Sequence, residues 1–156
     1  MRIRSASTKT TQAIAKILAE EVLKDKPKTK NALVFALSGD LGAGKTNFIQ
    51  GFVKGLGIKN RLTSPTFLIF RNYNLSGGKY KKFFHVDAYR IKKSKELDVL
   101  GLKNEIADPK NIIAIEWAEK IKKILPKNSV WLKFEHHREN ERIINIAEQM
   151  NSRRRV

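Results

Sequence analysis

Lys45 and Thr46 close the stretch SGDLGAGKT, residues 38–46, in which three glycines fall within six positions. Glycine is a poor choice for a helix or strand interior, so the cluster calls for a backbone explanation. The spacing Gly39-x4-Gly44-Lys45-Thr46 is that of a phosphate-binding loop. Glycines let successive backbone N–H groups curl inward around an anion. A helix starting at Lys45 adds its own free N–H groups and the positive end of its dipole. Lys45 is then placed to reach the β- and γ-phosphates of ATP, or the β-phosphate of ADP, and the Thr46 hydroxyl to ligate Mg²⁺. The candidate phosphate-binding set is Gly42, Ala43, Gly44, Lys45, Thr46 and Asn47. The plainer alternative, a glycine turn ahead of a helix, is disfavoured by what flanks the loop.

A nucleotide hydrolase needs carboxylates as well, one for Mg²⁺ and one to orient the attacking water. Two acids end apolar runs: Ile112–Ile115 lead into Glu116, and Phe83–Val86 lead to Asp87. Each acid alone also fits a solvated strand end; the loop is what directs at least one of them toward phosphate. His85 reads as a hydrogen-bonded structural residue or a partner to a ligand, because magnesium takes oxygen ligands. With no cysteine and three histidines, a zinc site is not expected. Arg90 suits a phosphate or a carboxylate, and His136 and His137 read as solvated. Trp117 is either core or a lid. Ser64–Phe67, SPTF, fits a segment that senses the γ-phosphate, although a turn fixed by Pro65 is the simpler reading.

These side chains need elements to hold them. ALVFAL, residues 32–37, has the look of a buried strand. Beyond the loop, Phe48, Ile49, Phe52, Val53 and Leu56 recur at helical spacing, which completes the strand–loop–helix setting the motif requires. Upstream, Ile14, Ile17, Leu18 and Val22 mark a helix with Ser/Thr caps, followed by a polar linker over residues 24–30. Residues 65–75 and 79–89 read as a β-hairpin joined by Ser-Gly-Gly at 76–78. A short helix over 95–100, a buried strand over 111–117, a brief helix stopped by Pro126 and two further strands complete the chain. The expected fold class is α/β: a single-domain P-loop NTPase-like fold with a mixed parallel and antiparallel sheet flanked by helices. It spans residues 1–150, with a basic tail over 151–156.

The chain has 156 residues and a formal net charge of +17. That charge implies affinity for polyanions. However, 22 lysines and 10 arginines are spread along the whole sequence, which reads as a lysine-rich surface; direct RNA contact is the alternative. No apolar stretch approaches the ~20 residues of a membrane span. No secretory leader is expected, since no apolar segment follows the basic residues 1–4, and Glu20 and Glu21 argue against a transit peptide. The absence of cysteine fits a reducing cytoplasm.

In this order and at this spacing, GDLGAGKTNF, SPTF, HVDAYR and IEWAE resemble the bacterial tRNA threonylcarbamoyladenosine biosynthesis ATPases, the TsaE family. The resemblance runs from about Thr11 to about Ile146 and includes the ERIINI strand. One departure is Asn47, where the family often has a second threonine. The resemblance implies an ATPase that works with TsaD and TsaB, which modify the adenosine beside the anticodon of tRNA; it implies no catalysis of the transfer itself. It further implies that Thr46 and Glu116 bind Mg²⁺, that Asp87 serves hydrolysis together with Lys45, and that Thr11 lies near the adenine. Two other classes share the loop: a small-molecule kinase, which usually carries an Arg-bearing helical lid, and a nucleotide-dependent binding module, which would not need Asp87.

Overall fold

The computed structural model describes residues 1–27, 29–59, 70–93 and 95–148. In chain order these form β1 (Arg2–Ser5), α1 (Thr8–Lys24), β2 (Leu33–Ser38), α2 (Lys45–Gly55), β3 (Phe70–Asn74) and β4 (Lys82–Asp87). Then follow α3 (Lys95–Val99), α4 (Leu102–Ile106), β5 (Asn111–Glu116), a 3₁₀ helix over Ala118–Ile124, β6 (Val130–Arg138) and β7 (Glu141–Glu148). The strands make one seven-stranded sheet of order β1-β7-β6-β2-β5-β4-β3. Its centre, β6-β2-β5-β4, is parallel, while β3, β7 and β1 add antiparallel margins. The expected mixed sheet and α/β class are therefore observed.

The centre is parallel because its strands are apolar on both faces. In β5 all six residues are buried, as a strand covered by helices on both sides requires. Alternation sends Phe35, Leu37, Phe83, Ile112 and Ala114 to the face under α1 and α2. Val34, Ala36, Phe84, Val86, Ile113 and Ile115 go to the other, where they meet Leu102 and Ile106 of α4 and Ala118 and Ile121 of the 3₁₀ helix. On the first face, Phe52 of α2 lies edge-on to Phe35 with ring centroids 4.9 Å apart, and Phe48 meets Phe134 of β6 at 5.6 Å. Such edge-to-face pairs lock helix orientation as well as burying area.

α1 is the expected helix, with a core-facing side of mixed size. Its N-cap is Ser7, whose side chain accepts from Thr10 N, in line with the Ser/Thr caps read from sequence. Its buried residues, however, are Thr11, Ala15 and Ala19, and Ile17 is 60% exposed. The physical reason is the short distance between α1 and α2. A Cβ placed on Gly51 would stand 2.2 Å from the carbonyl oxygen of Gln12. Only small residues fit between backbones so close, so Ile14, Leu18 and Val22 pack at the margin of the core. Two elements were not anticipated: β1 ahead of α1, too short and basic to stand out, and α4, a single turn. Of the expected hairpin, residues 65–69 lie outside the described residues; the remainder pairs antiparallel, Phe70 opposite Val86. The proposed tail, 151–156, also lies outside them. Among the described residues no helix is long and apolar enough to cross a membrane.

Gly51→Ala should force α1 away from α2. Overpacking of this kind costs about 1–3 kcal/mol, which a lowered thermal midpoint would report, whereas an unchanged midpoint would mean the helices separate freely.

Candidate functional site

The central parallel strands end at one edge of the sheet, and the glycine loop leaves β2 there. Gly44 is the N-cap of α2 with φ 104°, a left-handed conformation that side chains disfavour. A Cβ there would also come within 2.9 Å of the Arg142 side chain. α2 begins at Lys45, so its first backbone N–H groups have no intrahelical acceptors and face the loop. Lys45 is 4% exposed. Its ammonium donates to the carbonyl of Gly39 and, at 2.9 Å, to that of Asp40. It also sits 3.9 Å from the ring centroid of Trp117, a cation–π geometry. Burial lowers the Lys45 pKa, and Glu116 is foremost among the carboxylates that offset part of this. Lys45 makes no ion pair among the described residues.

The acids reach the loop through strand alternation. In β4, Phe83, His85 and Asp87 share one face, and in β5 so do Ile112, Ala114 and Glu116. Both sets face α2, the helix that carries Thr46. The Thr46 hydroxyl donates to Glu116 Oε2 at 2.9 Å. His85 Nε2 stands 2.8 Å from Glu116 Oε1, and an ionised carboxylate can only accept, so the imidazole donates there. Both oxygens of a carboxylate that is 5% exposed are thus held. Asp87 is paired in register with Glu116, and its Oδ1 accepts from Tyr89 N at 2.9 Å. Trp117 follows Glu116 at φ 58°, the only positive φ at a non-glycine among the described residues. Ring contacts to Lys45 and Tyr89 hold it there.

Together these groups line a cavity of about 260 Å³ formed by Gly42, Gly44, Lys45, Thr46, Asn47, Asp87 and Glu116, with Leu41, Tyr89 and Trp117 at its rim. Two expected site residues are placed differently. Ala43 is buried, and its N–H donates to the Asp40 carbonyl at 3.1 Å. Thr11 does not line the cavity: it is fully buried, 2.7 Å from Ser5 Oγ and bonded to the Ser7 carbonyl. It connects to the loop through Arg142, whose Nη1 donates to its hydroxyl at 3.4 Å. Arg90, His136 and His137 are exposed, and SPTF lies outside the described residues.

Arg142 itself was missed from sequence. It is 9% exposed, abuts Gly44, and its Nε is buried without a hydrogen-bond partner among the described residues. The available signal was its phase: on β7 it shares a face with Ile144, a core residue, and a cation in that phase needs a partner. A second cavity of about 310 Å³, bordered by Leu18, Val22, Tyr80 and Val130, lies at the opposite edge of the sheet. It gathers no glycine loop and no convergent carboxylates. Ligands of open α/β sheets bind outside the carboxyl ends of the strands, which favours the loop cavity.

A glycine loop between a buried parallel strand and a helix, with Lys and Thr opening that helix and a carboxylate on the neighbouring strand, defines a P-loop α/β domain. The family model of the threonylcarbamoyl adenosine biosynthesis protein TsaE matches residues 5–144. The chain belongs to the TsaE family, which is involved in tRNA threonylcarbamoyladenosine biosynthesis. It is 35% identical to the tRNA threonylcarbamoyladenosine biosynthesis protein TsaE of Bacillus subtilis over 147 residues, 94% of this chain and 85% of that protein. With the Haemophilus influenzae protein of the same name it shares 33% identity over 123 residues, 79% and 75% of the two chains. The crystal structure of Bacillus subtilis YdiB superposes with a TM-score of 0.72 at 31% identity, covering 96% of this chain and 86% of that one.

His85→Leu should leave Glu116 Oε1 without its donor. An unsatisfied buried acceptor costs about 1–3 kcal/mol, read as a lower urea midpoint. His85→Gln, which keeps an N–H, should lose less; equal losses would show that only the shape of the ring matters.

Proposed function

We propose that this chain binds Mg²⁺–ATP at Gly42–Asn47 and hydrolyses it in support of tRNA threonylcarbamoyladenosine formation, acting with TsaD and TsaB. The observation that carries this reading is Lys45, an ammonium buried in a glycine cradle with two carbonyls and a ring but, among the described residues, no carboxylate in ion-pair contact. Such a cation is set for an incoming anion, whose oxygens would replace the carbonyls of Gly39 and Asp40 as acceptors.

The side chains also fit the metal. Thr46 and Glu116 present a hydroxyl and a carboxylate 2.9 Å apart, the oxygen donors magnesium takes. When bound, the ion would neutralise charge on the β- and γ-phosphates. His85 holds Glu116 from behind, so that one carboxylate oxygen stays oriented while the other is free to exchange Thr46 for a ligand. Asp87, one strand away at the same level, is in place to orient a water and take its proton. The backbone N–H from Tyr89 keeps that carboxylate turned toward the cavity.

Among the described residues nothing covers the mouth of the cavity: Leu41 is 78% exposed and Tyr89 51%. In this reading the partners exclude water from the γ-phosphate, so turnover by the isolated chain should be slow. ADP would be held by the same contacts to its β-phosphate. A small-molecule kinase would instead need an acceptor pocket beside the γ-phosphate. A binding module without hydrolysis would leave Asp87 unused.

Lys45→Ala should weaken ATP binding by about tenfold or more, since a charge-assisted hydrogen bond contributes about 1.5–3 kcal/mol. Equal affinities by calorimetry would remove the proposed phosphate site. Glu116→Ala should reduce the Mg²⁺ dependence of that affinity, whereas Asp87→Ala should bind ATP nearly normally and lose hydrolysis. Hydrolysis at the parental rate by Asp87→Ala, with TsaD, TsaB and tRNA present, would show the assigned role to be wrong.

A further inference from the structure

Beside the nucleotide cavity, and outside it, a third cleft opens between the turn ahead of α3 and the 3₁₀ helix. Its volume is about 950 Å³. Lys92, Lys93, Lys95, Lys120, Lys122 and Lys123 line it, against one acid, Glu119. All six lysines are exposed. Elsewhere some surface cations are paired with acids: Arg4 with Glu141, Lys103 with Asp98, and Lys133 with Glu135. By contrast, the ammonium groups of Lys92, Lys93, Lys95 and Lys123 make no ion pair or hydrogen bond among the described residues. Lys122 has only the ring of Trp131, 5.7 Å away. Converging like charges repel and are costly to keep together, so a cleft built from them is complementary to a polyanion.

We propose that this cleft is a binding surface for the phosphate backbone of RNA. Two observations favour RNA over an acidic protein. The first is the lysines themselves: they project from two segments into one cleft, where they can follow a charged backbone across it. The second is Tyr89. Its ring is exposed, Lys120 lies 4.9 Å from its centroid, and Trp117 tilts against it at 5.0 Å. An exposed aromatic among cations is the combination on which single-stranded bases stack. Lys120 also donates to the Tyr89 carbonyl, so the RNA surface and the rim of the nucleotide cavity share a side chain. The choice of RNA as the polyanion rests on the proposed role in tRNA modification; the cleft and its charge do not.

The test compares two quadruple alanine variants of the full chain. One replaces Lys92, Lys93, Lys122 and Lys123. The other removes the same charge at Lys26, Lys30, Lys79 and Lys110, which are exposed at the opposite edge of the sheet. Lys120 is left intact because it touches Tyr89. Binding of an unmodified tRNA transcript is followed by fluorescence anisotropy over a range of salt, and Mg²⁺–ATP binding by calorimetry serves as the measure of folding. The cleft variant should bind RNA about tenfold or more weakly, and its salt dependence should flatten by up to about one unit per lysine. The control should stay within about twofold of the parent, and ATP binding should be unchanged in both. Equal losses in the two variants, or no loss in either, would overturn the proposal. So would a cleft variant that binds RNA like the parent but loses affinity for poly-glutamate, which would assign the cleft to an acidic protein. A parent that binds RNA through the cleft yet fails to bind Mg²⁺–ATP would support the RNA surface and overturn the nucleotide reading.

Discussion

The parallel register of β2, β5 and β4 sets the site. Leu37 stands opposite Glu116, and Glu116 opposite Asp87, so the glycine loop and both acids leave the sheet at one level. A slip of one residue in β5 would turn Glu116 to the far face and bring Ile115 or Trp117 under Thr46. The register is guarded by burial on both sides, since the slip would exchange the residues of two different cores. The geometry of the candidate site and the stability of the fold thus share one cause: the side chains that pin the strands also aim the carboxylates.

Around that edge the structure keeps its polar groups occupied in provisional ways. Thr46 and His85 each hold one oxygen of Glu116. Lys45 is satisfied by loop carbonyls and by Trp117. Such contacts prevent buried charges from standing unsolvated, and in the proposed function those of Thr46 and Lys45 are the ones a ligand would replace. The left-handed Trp117 belongs to this arrangement. A bulky residue there carries a strain of about 1–2 kcal/mol, and the ring packing between Lys45 and Tyr89 offsets it.

Much of this was legible in the sequence where the pattern was local. The loop, the helix after it and the apolar strands before Glu116 and Asp87 each announce themselves within about ten residues. The family resemblance added the order of the motifs. Contacts between distant segments were less visible. Ile14, Leu18 and Val22, three of the four residues that mark α1, do pack against the core, but its fully buried positions, Thr11, Ala15 and Ala19, were not visible, because helical periodicity marks large residues and the close approach enforced by Gly51 selects small ones. Arg142 escaped because its significance comes from Gly44 and Thr11, remote in sequence and brought together by β7 pairing with β6 and β1. The lysine cleft was invisible for a similar reason: 22 lysines look evenly spread along the chain, and only folding places Lys92, Lys93 and Lys95 beside Lys120, Lys122 and Lys123.

If the cradle is a nucleotide site, filling it must pull Lys45 away from the carbonyls of Gly39 and Asp40 and so change the surroundings of Trp117. The chain has two tryptophans, so Trp131→Phe leaves Trp117 as the sole reporter. Titrating that protein with ATP and Mg²⁺ should give a saturable change in tryptophan emission, and the change should disappear in the added background of Lys45→Ala. ATP binding detected by calorimetry with no change in Trp117 emission, or with the same change when Lys45 is absent, would contradict the account.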